Sequence, residues 1–342
     1  MPKKIAVLRF SALGDVAMLV PILRLVKQQY PNIELHVFTK KPFDQIFHIA
    51  DIKTTGIKFD KEYKGVLGLR KLAKEVDRQN FDVVLDMHSV LRTFILDFFT
   101  KTKFHRLDKG RKEKAAMVKA KERPEQSLPG MHKRYAVVFK KADINVNLQA
   151  NLKPITVNKL PDLQFSIDAT VPLIGIAPFS AHTSKEYPLE QIRIVIREVQ
   201  SKMKLNILLF GGGKEEEKRL QSLANEFENV FSTAGVLSLE EQIKWMSQLK
   251  LMLSMDSGNG HLAAAMSIPV ITIWGATHPF LGFQAFGQPP ENQLLPDAET
   301  YPAIPVSVFG KTKDEYYANA IRSIQPKTIA SRVLNSVQSK NK

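Results

Sequence analysis

Short runs of consecutive apolar residues alternate along this chain with stretches of helical period, the pattern of parallel strands covered on both faces by helices. Lys4 to Phe10 reads as a buried strand and Val16 to Gln29 as a helix, with Ser11-Ala12-Leu13-Gly14 as the tight connection between them. Strand-like runs recur at 34–39 and 81–86, separated by helical stretches such as 65–78. The alternation restarts at 171–178 and continues through a helix at 189–202, a strand at 205–210 ending in three glycines, and a helix at 215–227. Ser238 followed by Glu241 has the spacing of a capping box, and strands at 250–254 and 270–274 flank the small-residue stretch 261–267. Between the two series, 150–170 carries Pro154 and Pro161 and no sustained period, so it reads as a linker. The pattern predicts an α/β protein of two doubly wound, Rossmann-like domains, at 1–160 and 161–325. A tail helix at 326–342 is able to fold back onto the first of them.

Length and composition agree with this division. A chain of 342 residues with 44% hydrophobic and 24% charged residues suits two globular domains. Nothing approaches the roughly 20 apolar residues that cross a bilayer, and Arg9 ends the first apolar run too early for a signal-peptide core, so a cytoplasmic protein is expected. The absence of cysteine excludes disulfides, thiolate metal sites and cysteine nucleophiles. The formal charge of +15 changes the picture more. It calls for an anionic partner, whether nucleic acid, an acidic lipid surface or a phosphorylated substrate. Thirteen Lys or Arg against four acids lie between Lys101 and Lys140, so well over half of the net charge is concentrated there.

Four loops carry candidate chemistry. Ser11 to Asp15 leads from the first strand into a helix whose free amides can face a ligand, and Asp15 is either a helix cap or a carboxylate base. Its single glycine does not make the G-x-G-x-x-G dinucleotide fingerprint. Asp256-Ser257-Gly258-Asn259-Gly260-His261 follows a strand and opens a helix, which suits a sugar or a phosphate. Ser180 to Pro188 offers the hydroxyls of Ser180, Thr183 and Ser184 together with Lys185, donors suited to a departing pyrophosphate. Gly211-Gly212-Gly213 permits close approach of a ligand, with Glu215 able to accept hydrogen bonds from a ribose or a base. Each loop taken alone is equally well a turn or a cap.

Taken in order, the four loops resemble glycosyltransferase family 9, the ADP-heptose:lipopolysaccharide heptosyltransferases. An R-x-S-x-L-G-D opening stands at Arg9 to Asp15, a hydroxyl loop ending in K-x-[WY]-P at Ser180 to Pro188, and D-[ST]-G-x-x-H-L-A-A-A at Asp256 to Ala265. Phe81 to Ser89 is similar to the family's Y-D-x-x-I-D-L-Q-G strand end, with His88 and Ser89 in place of Gln-Gly; Tyr187 stands where tryptophan is usual, and Leu237 where some members have methionine. The resemblance implies a GT-B fold, with two Rossmann-like domains facing each other across a cleft, and an inverting transfer that needs neither metal nor cofactor. By position it implies Asp15 as general base and Lys185 as the stabiliser of the leaving diphosphate. Ser180, Thr183, Ser184, Glu215, Leu237, Asp256, Ser257, Gly258 and His261 would bind the nucleotide-sugar donor, ADP-heptose in the family. Ser11 and Gly14, with Arg106, Arg111, Lys112 and Arg134 chosen for their charge, would meet an anionic acceptor of lipid A-Kdo type, and the enzyme would touch the inner membrane surface peripherally. Alternatives are a GT-B sugar-nucleotide epimerase and a nucleic-acid-binding module. The latter is disfavoured because aromatic residues stand only at the edges of the basic stretch, so no nucleic acid is expected as partner.

Overall fold

The computed structural model describes residues 1–339. The chain divides into two compact units, Met1–Arg111 with Met131–Ile155, and Lys112–Gly130 with everything from Thr156 onward.

The first unit runs β1 (Lys4–Leu8), α1 (Leu13–Gln29), β2 (Glu34–Lys40), α2 (Gln45–His48), β3 (Lys53–Ile57), α3 (Gly65–Arg78), β4 (Val83–Asp86), α4 (Leu91–Phe99) and β5 (Phe104–Arg106). α5 (Arg111–Ala120) starts at its border, and α6 (Met131–Lys140) returns to it. All pairings in the five-stranded sheet are parallel, in the order β3-β2-β1-β4-β5. β1 lies in the middle, in register with β2 and β4 through Ile5 to Leu35 and Val83. Its residues Ile5 to Leu8 are fully buried, which is why this strand reads as an unbroken apolar run rather than an alternation.

The second unit holds β6 (Leu173–Ala177), α7 (Leu189–Gln200), β7 (Asn206–Leu209), α8 (Lys214–Ala224), β8 (Val230–Ser232), α9 (Leu239–Met246), β9 (Leu251–Met255), α10 (Gly258–Ala265), β10 (Val270–Ile273), β11 (Gln293–Leu294), α11 (Glu315–Ala318) and α12 (Pro326–Gln338). Its sheet is ordered β11-β10-β9-β6-β7-β8, again with parallel pairings throughout. The capping box forms as expected: the Ser238 amide donates to Glu241 Oε2 at 2.8 Å, and the Glu241 amide donates to the Ser238 hydroxyl at 3.4 Å.

Numbered within its own unit, each sheet begins 3-2-1-4-5, so the strand order reverses once, between β1 and β4 in one unit and between β6 and β9 in the other. Ligands of open parallel sheets bind beyond the carboxyl ends of the strands at such reversals. The loops after these four strands include three of the four motif loops, and that topology gives them a common reason.

Two features of the domain expectation change. Residues 112–130 lie inside the nominal first domain but join the second unit. Arg123 holds the strap there, donating through Nη2 to the carbonyls of Pro296, Asp297 and Tyr301 at 2.7, 3.0 and 3.3 Å, and the ammonium of buried Lys114 sits 4.0 Å from the centre of the Phe283 ring. The tail helix α12 packs on α7 and β9 of the second unit. Its stripe of Ile329, Ala330, Val333, Leu334 and Val337 is part of that unit's core. The last three residues of the tail segment lie outside the described residues.

Candidate functional site

In the first unit, Asp15 stands in the opening turn of α1, directly beyond β1. Its carboxylate Oδ2 pairs with the Arg9 guanidinium, which is 2% exposed and also donates to the Met87 carbonyl at 2.6 Å. The backbone carbonyl of Asp15 accepts from the hydroxyl of fully buried Tyr135 at 3.2 Å. An arginine at a strand end reads in the sequence as a stop; here it is a buried clamp that fixes the position of a carboxylate. Ser11 and Gly14 line the same loop, both partly exposed.

The neighbouring loop, after β4, is held by Asp86. This fully buried carboxylate accepts from the amides of His88 at 2.9 Å and Ser89 at 2.8 Å through Oδ1, and from Arg106 Nε at 2.9 Å through Oδ2. The His88 ring turns back toward β1, and Nδ1 accepts weakly from the Phe10 amide at 3.4 Å. Lys109 joins this group. Burial, with repulsion from Arg9 and Arg111, pushes its ammonium down to about 8, against the opposing pull of Asp15 and Asp86.

The four cations chosen from the basic stretch therefore have different fates. Arg106 bridges Asp86 and Asp97, 2.9 Å from each, and lies 3.7 Å from the centre of the Phe94 ring. Arg134 is buried, with its guanidinium against Gly110 and 3.9 Å from Asp108. Lys112 stands on the part of α5 that belongs to the second unit. Arg111 reaches toward the Ser89 carbonyl at 3.5 Å, in the loop that Asp86 holds. Charge counting missed Arg9 and His88 as members of the group and gave Lys109 no role of its own.

Burial and the positive charges of Arg9, Lys109 and Arg92 push the His88 imidazole down to about 3. Burial does the same for His36, aided chiefly by Lys53, and for His278, aided by Arg123, taking both to about 4. These rings stay neutral in the folded chain, whereas the unfolded chain takes up a proton on each near 6.5. The unfolded state therefore binds more protons below that pH, and stability must fall as pH drops from about 6.5 toward 4. Denaturant unfolding at pH 7 and pH 5 is expected to differ by about 1 to 2 kcal/mol per histidine, and His88→Gln should flatten the slope. Equal stability at the two pH values would contradict this account.

In the second unit, the loop after β6 and the loop after β9 meet. Lys185, at the end of a single 3-10 turn (Thr183–Lys185), places its ammonium 3.1 Å from Asp256 Oδ2, with the two side chains 12% and 10% exposed. The Thr277 hydroxyl donates to the same carboxylate oxygen at 2.8 Å. Ser180 is tied to both neighbours: its hydroxyl reaches the Asp256 carbonyl at 3.4 Å, and its amide donates to Glu186 Oε1 at 3.1 Å. Ser184 is buried and donates to the Gly310 carbonyl, while the Ala276 amide donates to the Ser184 carbonyl at 3.1 Å. Two glycines make this packing possible. A Cβ on Gly275 would fall 1.9 Å from the Ser184 carbonyl oxygen, and one on Gly310, whose φ is +99°, would fall 2.7 Å from the Lys185 stem. Neither the partner segment 275–277 nor 307–310 has a local pattern that marks it as part of a site.

Ser257 and Gly258 open α10, with Ser257 in extended backbone geometry and its hydroxyl 3.3 Å from that of Ser254. His261 is buried one turn further along. Free amides at this helix start, beside Lys185, can receive an anion. In the glycine loop after β7, Glu216 Oε2 accepts from the Gly212 amide at 2.8 Å, and Glu215 is exposed beside it in the first turn of α8. Leu237 is buried and its carbonyl accepts from Gln242 at 3.2 Å. Tyr187 is buried as well, donating to the Ile324 carbonyl at 2.5 Å, so its departure from tryptophan concerns packing.

Residues 69–285 match the family model described as glycosyltransferase family 9 (heptosyltransferase). The chain is 25% identical over 332 residues to the lipopolysaccharide core heptosyltransferase OpsX of Haemophilus influenzae, a match spanning 92% of this chain and 89% of that protein. It is 23% identical over 307 residues to lipopolysaccharide heptosyltransferase 1 of Campylobacter coli, covering 80% and 84%. Among solved structures, the family 9 glycosyltransferase of Veillonella parvula superimposes with a TM-score of 0.73 at 17% identity over 98% of each chain. E. coli heptosyltransferase WaaC with ADP gives 0.68 at 19% identity, over 97% of this chain and 99% of that one. At these identities the structural likeness speaks to the fold, which is GT-B.

Proposed function

The chain belongs to glycosyltransferase family 9, and from that premise we propose that it moves a heptose from ADP-heptose to an anionic, lipid-anchored lipopolysaccharide inner-core acceptor. The observation that carries this reading is the Lys185–Asp256 pair at the strand-order reversal of the second unit, beside the hydroxyl loop and the start of α10. A diphosphate needs a fixed cation and several donors, and that is the donor set assembled here. In the proposed site, Lys185, Thr183 and the α10 amides receive the diphosphate, Ser180, Ser257 and Asp256 border the donor sugar, and Ser184 anchors the loop through Gly310. Glu215 and the backbone near Leu237 lie on the nucleoside side.

The acceptor hydroxyl gives its proton to Asp15 as its oxygen bonds to the anomeric carbon, the bond from that carbon to the diphosphate oxygen breaks, and ADP leaves with the electron pair. Attack opposite the leaving group inverts the anomeric centre. Arg9 orients the base, while Lys109 and Arg111 offer positive charge to the phosphates and carboxylates of the acceptor. Such an acceptor places the enzyme's work at an anionic membrane surface, although among the described residues no helix is long and apolar enough to cross a membrane.

Calorimetric titration of the purified chain with ADP, ADP-heptose, UDP-sugars and GDP-sugars tests the donor. ADP and ADP-heptose are expected to bind at least tenfold more tightly than the others. Selective binding of a uridine or guanosine sugar would move the donor, and no binding to any nucleotide would overturn the transferase reading.

A further inference from the structure

Large apolar side chains are exposed on one part of the first unit. Of the ten such residues among the described residues, five lie on α3 and α4: Val66, Leu67, Leu91, Phe94 and Phe98. Single exposed apolar residues are ordinary, and a cluster is not. Leu67, Leu91 and Phe98 are 80%, 75% and 83% exposed, so they project and do not merely border a crevice. Leu91, Phe94 and Phe98 follow i, i+3, i+7 spacing and form one stripe on α4, and α3 packs alongside α4.

Cations surround this stripe. Arg70, Lys74 and Arg78 of α3, with Lys101, line a groove of about 460 Å³ whose apolar wall is Phe98 and Phe99. Arg92 lies over the Phe59 ring at the other end of the stripe. Asp77 lines the same groove, so four cations face one carboxylate there, and of the nearby acids Asp97 is paired with Arg106 while Glu75 accepts from the Tyr63 hydroxyl at 2.6 Å. The face therefore presents apolar tips within a positive rim.

We infer that the α3–α4 face is a lipid-docking surface that seats the enzyme on an anionic bilayer, with Leu67, Leu91 and Phe98 entering the headgroup boundary and Arg70, Lys74, Arg78 and Lys101 meeting lipid phosphates. Aliphatic and aromatic tips with basic neighbours are what interfacial binding requires. A second copy of the chain would bring like charge against like charge on such a face. Nucleic acid would leave Leu67 and Leu91 without stacking partners, since base recognition uses aromatic rings. The inference deepens the proposed lipid-anchored acceptor but stands on its own residues. It also moves membrane contact away from the middle of the basic stretch, where Arg106, Arg123 and Arg134 are engaged within the fold.

Flotation with vesicles of phosphatidylcholine, with and without about one-third phosphatidylglycerol, tests it. The wild-type chain is expected to bind the anionic vesicles. Leu91→Ser and Phe98→Ser should each weaken partitioning about tenfold, and Lys74→Glu with Arg78→Glu should do so by a similar factor. Phe98→Trp should shift its emission to the blue with anionic vesicles, read as a difference from wild type. All of these positions are exposed, and thermal melts matching wild type would verify folding. Serine variants that bind vesicles as wild type does would overturn the inference. So would tighter binding of single-stranded DNA than of vesicles, or a dimer that Phe98→Ser dissociates. ADP titration on the same preparations separates the two readings: lost ADP binding with intact vesicle binding sinks the transferase reading alone, and the reverse sinks only this one.

Discussion

Lys185→Ala is expected to weaken ADP-heptose binding by about ten- to a hundredfold and to lower kcat by about two to three orders of magnitude. The asymmetry follows from when the charge matters. In the bound donor the diphosphate already carries negative charge, which Lys185 and the α10 amides share, but the bridging oxygen gains its full charge only as the bond to the sugar breaks. A fixed ammonium therefore contributes more to the transition state than to the ground state. The same substitution has a structural effect, because Asp256 is 10% exposed and would retain only Thr277 as a side-chain donor to Oδ2. Loss of one partner from so enclosed a pair is expected to cost about 2 to 3 kcal/mol of stability. Lys185→Met with Asp256→Asn separates the two effects: the double variant should regain most of the stability, measured by denaturant unfolding, without regaining donor binding in calorimetry. A double variant that binds donor as wild type does would show that the pair is purely structural.

The parallel cores were legible because strands buried on both faces leave continuous apolar runs, and β1, β4, β6, β9 and β10 lie within about two residues of where those runs place them. The edge strands β3, β5, β8 and β11 were missed, since strands as short as these, or as partly exposed as Lys53–Ile57, have no such run. Motif loops could be found locally, but their convergence could not: that Ser180 to Lys185 meets Asp256 depends on β6 and β9 being neighbours, a fact of strand order. The strap at 112–130 was invisible for a related reason. α5 has the composition of a solvated basic helix, and only its distant partners make it part of the second unit. Charge summation failed in the same way, because a count of cations treats Arg106 and Arg134 like Arg111, whereas their partners Asp86, Asp97 and Asp108 are fixed by the fold.

Asp15→Asn should lower kcat by about two to four orders of magnitude while leaving ADP affinity within about twofold, because the substitution removes a general base from one unit and leaves the diphosphate donors of the other untouched. The pairing with Arg9 sharpens the expectation. Only Oδ2 is engaged by the guanidinium, and the side chain keeps 30% exposure, so an acceptor hydroxyl can approach the remaining oxygen. The clamp supplies a fixed direction: Arg9 is itself buried and held by the Met87 carbonyl. For a proton that leaves only as the oxygen bonds to carbon, alignment within a few tenths of an ångström outweighs a stronger base in the wrong place. Asparagine keeps the shape and one acceptor toward Arg9, so the fold should lose no more than about 1 to 2 kcal/mol, and thermal melts will separate that from the catalytic loss. Arg9→Gln, which keeps the carboxylate and removes its clamp, is expected to cost kcat about tenfold to a hundredfold. If Asp15→Asn turned over donor within tenfold of wild type while Arg9→Gln were inactive, the base would have to lie elsewhere in the Asp15, Asp86 and Lys109 group, and Asp15 would be reduced to a helix-capping anion.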